Sequence, residues 1–127
     1  MSEVVTVRGD DFMAAAQHDG TVINACLEGS ADYAALDALE MLLDRIHAEA
    51  DRLGVTETVV DLRQLEFMSS SCFKSFVSWI IEIQEMERDR QYKLRFVSNP
   101  KMHHWQKRSL HALRCFAVEL ITVTEQQ

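Results

Sequence analysis

Between Ala31 and Val123 the hydrophobic period switches repeatedly between helical spacing and short buried runs. No other feature of this chain limits its possible folds as much. From Ala31 to Leu53, the residues Leu36, Leu39, Leu43, Ile46 and Leu53 recur at helical spacing. Asp37, Glu40, Asp44, Arg45, Glu49 and Asp51 fall largely between them, the pattern of an amphipathic helix. Gly54 stands where a left-handed C-cap would end it. Thr56 to Leu62, built around Val59 and Val60, reads as a short buried strand. A second helix opens at Ser69-Ser70-Ser71 and runs to Arg88. Tyr92 to Val97 is the next strand, broken by Asn99-Pro100. Lys101 to Arg114 is a third helix, and Ala117 to Val123 a last strand. Upstream, Phe12 to Gln17 and Thr21 to Leu27 flank Asp19-Gly20, a pair that favours a hairpin because it tolerates positive φ. The order β-β-α-β-α-β-α-β predicts an α/β fold. Its sheet should be a single, mostly parallel layer with helices packed on it through right-handed crossovers.

No linker, repeat or low-complexity run interrupts this pattern, so residues 1–127 are read as one domain. Two properties narrow the function. The formal charge of -7 argues against a general nucleic-acid binder. Neither a membrane-spanning run nor a signal-peptide pattern at Met1-Ser2-Glu3-Val4 is found, so no membrane partner and a cytoplasmic location are expected. Cys26, Cys72 and Cys115 are odd in number and scattered, which fits reduced, buried thiols better than disulfides or zinc.

The second helix carries Phe73, Phe76, Val77, Trp79, Ile80, Ile81, Ile83 and Met86, which cover more than one face. Phe76, Val77, Ile80 and Ile83 are assigned to the core. Trp79 is assigned to the surface or an oligomer contact, which also raises a homodimer as an option.

Chemistry concentrates in Val59-Val60-Asp61-Leu62-Arg63-Gln64-Leu65-Glu66-Phe67-Met68-Ser69-Ser70-Ser71-Cys72-Phe73. Hydroxyls stand at the exit of a strand and the start of a helix, where unpaired N–H groups and a partial positive charge favour a phosphate. One serine can cap the helix. The segments Val60-Asp61-Leu62, Phe67-Met68 and Ser69-Ser70-Ser71-Cys72, with the order of elements, resemble a STAS domain of the anti-sigma factor antagonist type. That family carries Asp-Ser-Ser-Gly at the helix start; this chain has Ser69 in place of the Asp and Cys72 in place of the Gly.

The resemblance implies a STAS-like fold and a partner-switching role without enzymatic activity. A serine kinase that is itself the anti-sigma-like partner binds the unphosphorylated form, and a phosphatase resets the switch. It places the phosphoacceptor at Ser71, with Ser70 as runner-up. Ser69, Cys72, Phe73 and Trp79 are the expected partner-binding residues. The alternative is a STAS-like small-ligand or redox sensor, in which the thiol of Cys72 is activated by the helix N-terminus.

Other residues carry weaker signals. His103, His104 and His111 lack a carboxylate or cysteine to complete a metal set, so no metal site is assigned. Asn99 to Val118 holds four of the 13 Lys and Arg (Lys101, Lys107, Arg108 and Arg114) and no acid. This basic helix is a solvated face or a docking patch for an acidic partner. Without stacking aromatics it is not assigned to nucleic acid. Ser71 has no identifiable His and Asp companions and no phosphate-binding loop is present, so neither catalytic residues nor a cofactor is expected.

Overall fold

The computed structural model describes residues 1–127. Its strands are β1 (Ser2–Gly9), β2 (Phe12–Asp19), β3 (Val22–Ala31), β4 (Glu57–Met68), β5 (Lys93–Ser98) and β6 (Ile121–Glu125). Its helices are α1 (Leu36–Leu53), α2 (Ser70–Gln84) and α3 (Trp105–Phe116). One six-stranded sheet holds the strands in chain order, antiparallel through β1, β2 and β3 and parallel from β3 to β6. The expected α/β class and mostly parallel sheet are present. No helix is long and apolar enough to cross a membrane.

Strand order decides where the core lies. Each of the three parallel crossovers moves one strand further in the same direction. Crossovers of one hand must then place α1, α2 and α3 on the same face. Side-chain burial follows: Ile23, Ala25 and Leu27 of β3, Val60 and Leu62 of β4, and Leu94 and Phe96 of β5 are buried beneath the helices. Their alternates Asn24, Cys26, Glu28, Val59, Asp61, Arg63 and Arg95 line an uncovered face, exposed or half-buried. Parallel sheets are usually covered on both faces.

The element bounds correct the sequence reading in several places. β1 was not expected; Val5 and Val7 are buried under α1, giving the sheet an extra antiparallel edge. β3 runs on to Ala31, so α1 begins at Leu36 after a 3₁₀ turn at Tyr33–Ala35. Gly29 allows this path. At φ +92 its absent Cβ would stand 2.2 Å from the Asp11 carbonyl oxygen, too close for any side chain. β4 passes through Phe67-Met68, because Gln64 to Met68 keep pairing with β3 after its pairing with β5 stops at Asp61. There the buried Gln106 takes over. Its amide donates to the carbonyls of Leu62 (2.6 Å) and Leu65 (3.1 Å), and its Oε1 accepts from the Asn99 N–H (2.8 Å). α2 ends at Gln84, four residues early, and α3 starts at Trp105.

Trp79 is the largest correction. It is 1% exposed, and its indole N–H donates to the Tyr92 hydroxyl at 2.8 Å. The same hydroxyl lies 2.7 Å from His47 Nδ1, so one oxygen ties α2 to α1 and to the chain entering β5. A buried indole needs such a partner, and Tyr92 supplies it. The cysteine reading also divides. Cys72 is buried, but Cys26 and Cys115 are exposed, on the open sheet face and the outer side of α3.

Candidate functional site

In a parallel sheet all strands end at one edge, and the loops leaving them gather there. β3 and β4 are parallel neighbours with Ala31 opposite Met68. The turn Asp32-Tyr33 therefore stands beside Ser69-Ser70-Ser71, although the two are far apart in sequence. A backbone hydrogen bond from Ser69 N–H to the Ala31 carbonyl, 2.8 Å, pins the two exits together.

Ser69 alone separates β4 from α2. Its backbone is extended (φ -71°, ψ 164°), and its Oγ accepts from the Cys72 N–H at 3.2 Å. It is the N-cap, so a hydroxyl performs the capping that a carboxylate could perform at the same place. Cys72 N–H is thereby satisfied, and Phe73 N–H bonds the Ser69 carbonyl at 2.9 Å. The amides of Ser70 and Ser71 are left as the open donors of the first turn. No acid lies in that turn to compete for them. Ser70 is exposed and Ser71 half-buried, so the runner-up acceptor is the more accessible of the two.

Of the expected partner-binding residues, Ser69 and Phe73 are half-buried at this end of α2. Cys72 and Trp79 have no surface to offer a partner, at 0% and 1% exposure. Cys72 turns inward, its Sγ 3.5 Å from the Asp32 carbonyl oxygen. Burial pushes its thiol pKa up, and Asp32 and Glu40 add to this, outweighing the hydrogen bond with Ser69. Burial and a raised pKa both disfavour the thiolate, the reactive species that the redox reading requires.

The structure adds Asp32 and Tyr33, which sequence reasoning missed, and exposes Phe67 of the motif. Tyr33 is 79% exposed and Phe67 47% exposed, and both flank the serine turn on the neighbouring strand exits. Asp32 has a buried Oδ1 without a hydrogen-bond partner. The parallel pairing of β3 with β4 was the signal that could have found them, because it brings their two exits together.

Lys107 and Arg114 line a groove with β6, two strands from the β4 that leads into this turn. His103 instead anchors the chain after β5, with Nε2 3.1 Å from the Arg63 carbonyl oxygen.

No family model matches the sequence, and no curated protein matches it. Among solved structures, the fold is similar to the crystal structure of an anti-sigma factor antagonist from Mycobacterium paratuberculosis. The TM-score is 0.68 at 16% sequence identity, covering 91% of this chain and 86% of that one. The chain thus shares its fold with that anti-sigma factor antagonist.

Proposed function

We propose that this protein is a phosphorylation-controlled binding switch whose partner surface is the first turn of α2 with the two strand exits beside it. One observation carries the reading. Two hydroxyls, Ser70 and Ser71, stand on a helix N-terminus whose cap is already supplied by Ser69, with the exposed Tyr33 and Phe67 near the exits of the paired strands β3 and β4. Capping by Ser69 frees both hydroxyls for another task. The partner is an anti-sigma-like serine kinase, with a phosphatase to reverse the modification. Ser71 is the acceptor by its place in the motif, and Ser70 is the alternative by its exposure.

The unphosphorylated first turn of α2 carries no acid, and the exposed Tyr33 and Phe67 near it suit a protein contact. A phosphate adds about -1.5 to -2 charges at pH 7. The open amides of Ser70 and Ser71 would hold it, while a chain already at -7 becomes more repulsive to an acidic surface. Asp32 supports the same reading. Its Oδ1 is buried without a hydrogen-bond partner, so a small movement of the turn on binding could offer it a donor.

Binding to the cognate kinase, measured for wild type, Ser70→Ala, Ser71→Ala and Ser71→Asp with intact mass before and after ATP, tests the reading. The acceptor's alanine variant should bind constitutively and gain no mass, and Ser71→Asp should bind more weakly. No mass gain on wild type, together with equal affinities throughout, would overturn it.

A further inference from the structure

β6 is the last strand of the sheet, with β5 on one side and no strand on the other. Leu94 N–H bonds the Leu120 carbonyl and Gln126 N–H bonds the Ser98 carbonyl, so the even-numbered positions direct their backbone groups toward β5. By the alternation of a strand, Val123 and Glu125 turn theirs outward, to the free edge. Above that edge a groove of about 420 Å³ runs between β6 and α3. Lys107, His111 and Arg114 line it from the helix, at spacings of one and two turns that keep them on one face. Val118 and Val123 give it an apolar floor, and Glu125 is its one acid.

We propose that this groove takes an extended acidic peptide, which adds to β6 as a seventh strand. Two independent features specify the occupant. The outward N–H and C=O groups of Val123 and Glu125 are the pairing groups of a strand, and only a polypeptide backbone complements them in register. Residues of an added strand would alternate in facing, and every second side chain would rise beside Lys107, His111 and Arg114. Acidic residues at alternate positions, with apolar or small residues between, fit that arrangement. Two cations and a histidine in a short groove with a strand-pairing edge favour such a peptide over a nucleic acid, which needs a longer basic track and stacking rings. A second copy of the chain fits poorly, since two β6 edges brought together would bring two basic helices together. This site is separate from the serine turn, and its occupancy does not depend on phosphorylation.

The test uses fluorescence anisotropy with the full chain and an eight-residue labelled peptide alternating Glu and Val. The Lys-Val analogue and a single-stranded DNA of 12 nucleotides serve as comparisons. The Glu-Val peptide should bind saturably and the Lys-Val peptide should not. The double variant Lys107→Glu/Arg114→Glu should weaken binding by about tenfold or more. Hydrogen exchange measured by NMR on the wild type tests the backbone geometry without any variant: the amides of Val123 and Glu125 should gain protection when the peptide is added. Equal binding of both peptides, tighter binding of the DNA, or no protection at those two amides would overturn the proposal.

Discussion

The two faces of this sheet are made by the same strands, residue by residue, yet they differ in almost every physical respect. Under the helices, Ile23, Leu27, Leu62 and Phe96 are 0% exposed and form one continuous apolar core. One residue along each strand, Cys26, Asp61, Arg63 and Arg95 face outward around a hollow of about 430 Å³. Alternation along the strands sorts apolar from polar side chains, and topology decides which set is covered, because three crossovers of one hand leave nothing to cover the second face. Stability should therefore reside on one side of the sheet, and polar chemistry on the other.

The largest effect that could break this contrast comes from Phe96→Ala beneath the helices, set against Val59→Ala on the open face. The first removes a ring packed edge-on against Phe76 (centroids 5.9 Å apart) and should cost about 3–5 kcal/mol. The half-buried Val59 should cost about 1 kcal/mol or less. Urea denaturation of both variants measures this, and equal losses would mean that the open face is covered in solution.

Tyr92→Phe comes next. It takes away the acceptor of the Trp79 N–H and the partner of His47 at once, which should cost about 1–3 kcal/mol. Burial pushes the Tyr92 phenol above its ordinary value of 10.0, against the hydrogen bond from Trp79. An acid whose folded pKa is raised holds its proton longer in the folded state. Its contribution is present below the unfolded pKa and falls as the pH climbs past 10. Thermal melts between pH 8 and 11 should show stability falling in wild type and a flatter profile in Tyr92→Phe.

These core residues show where the sequence was readable. The helices and the parallel strands were legible because their periodicity states a face directly. Trp79 was misplaced because α2 is apolar on more than one side. The sequence does not reveal that a Tyr hydroxyl beyond the end of the helix would meet the indole. β1 went unread for a different reason: Val4, Val5 and Val7 are buried, and the helix that β1 packs against, α1, lies beyond two further strands. The serine turn was legible as a helix start, and Ser69 is its cap. Asp32 and Tyr33 were not, because strand pairing alone brings them there.

Asp61→Asn on the open face should cost less than about 1 kcal/mol at pH 7, since its pair with Arg63 (2.8 Å) is partly exposed and screened. Burial acts to raise the Asp61 pKa, but hydrogen bonds from the Arg63 guanidinium and backbone N–H outweigh it and leave the carboxyl below its ordinary value of 3.8. A depressed carboxyl stabilises the fold above its unfolded pKa and loses that contribution as the pH falls through the folded one. The difference in melting temperature between wild type and Asp61→Asn should shrink as the pH is lowered from 6 to 3. A constant difference would mean that the ion pair contributes nothing.

The smallest effect is a rate, and it reports on the open face alone. Cys26 stands opposite Asp61 across the β3–β4 pairing. Partial burial raises its thiol pKa, Asp61 and Glu28 raise it further, and Arg63 opposes them. In Asp61→Asn the nearer negative charge is gone, and Arg63 loses the carboxylate that neutralises it. Both changes favour the thiolate, so Cys26 should alkylate a few-fold faster with iodoacetamide at neutral pH. Cys115 is an exposed internal reference on α3 and should keep its rate. The buried Cys72 should stay unmodified until the protein unfolds. Peptide-resolved mass spectrometry of a labelling time course separates the three thiols. Faster labelling at Cys26 alone would show that the open face is an electrostatic unit. An equal gain at Cys72 would mean that the substitution had loosened the helix side, and that the two faces are not as independent as their burial implies.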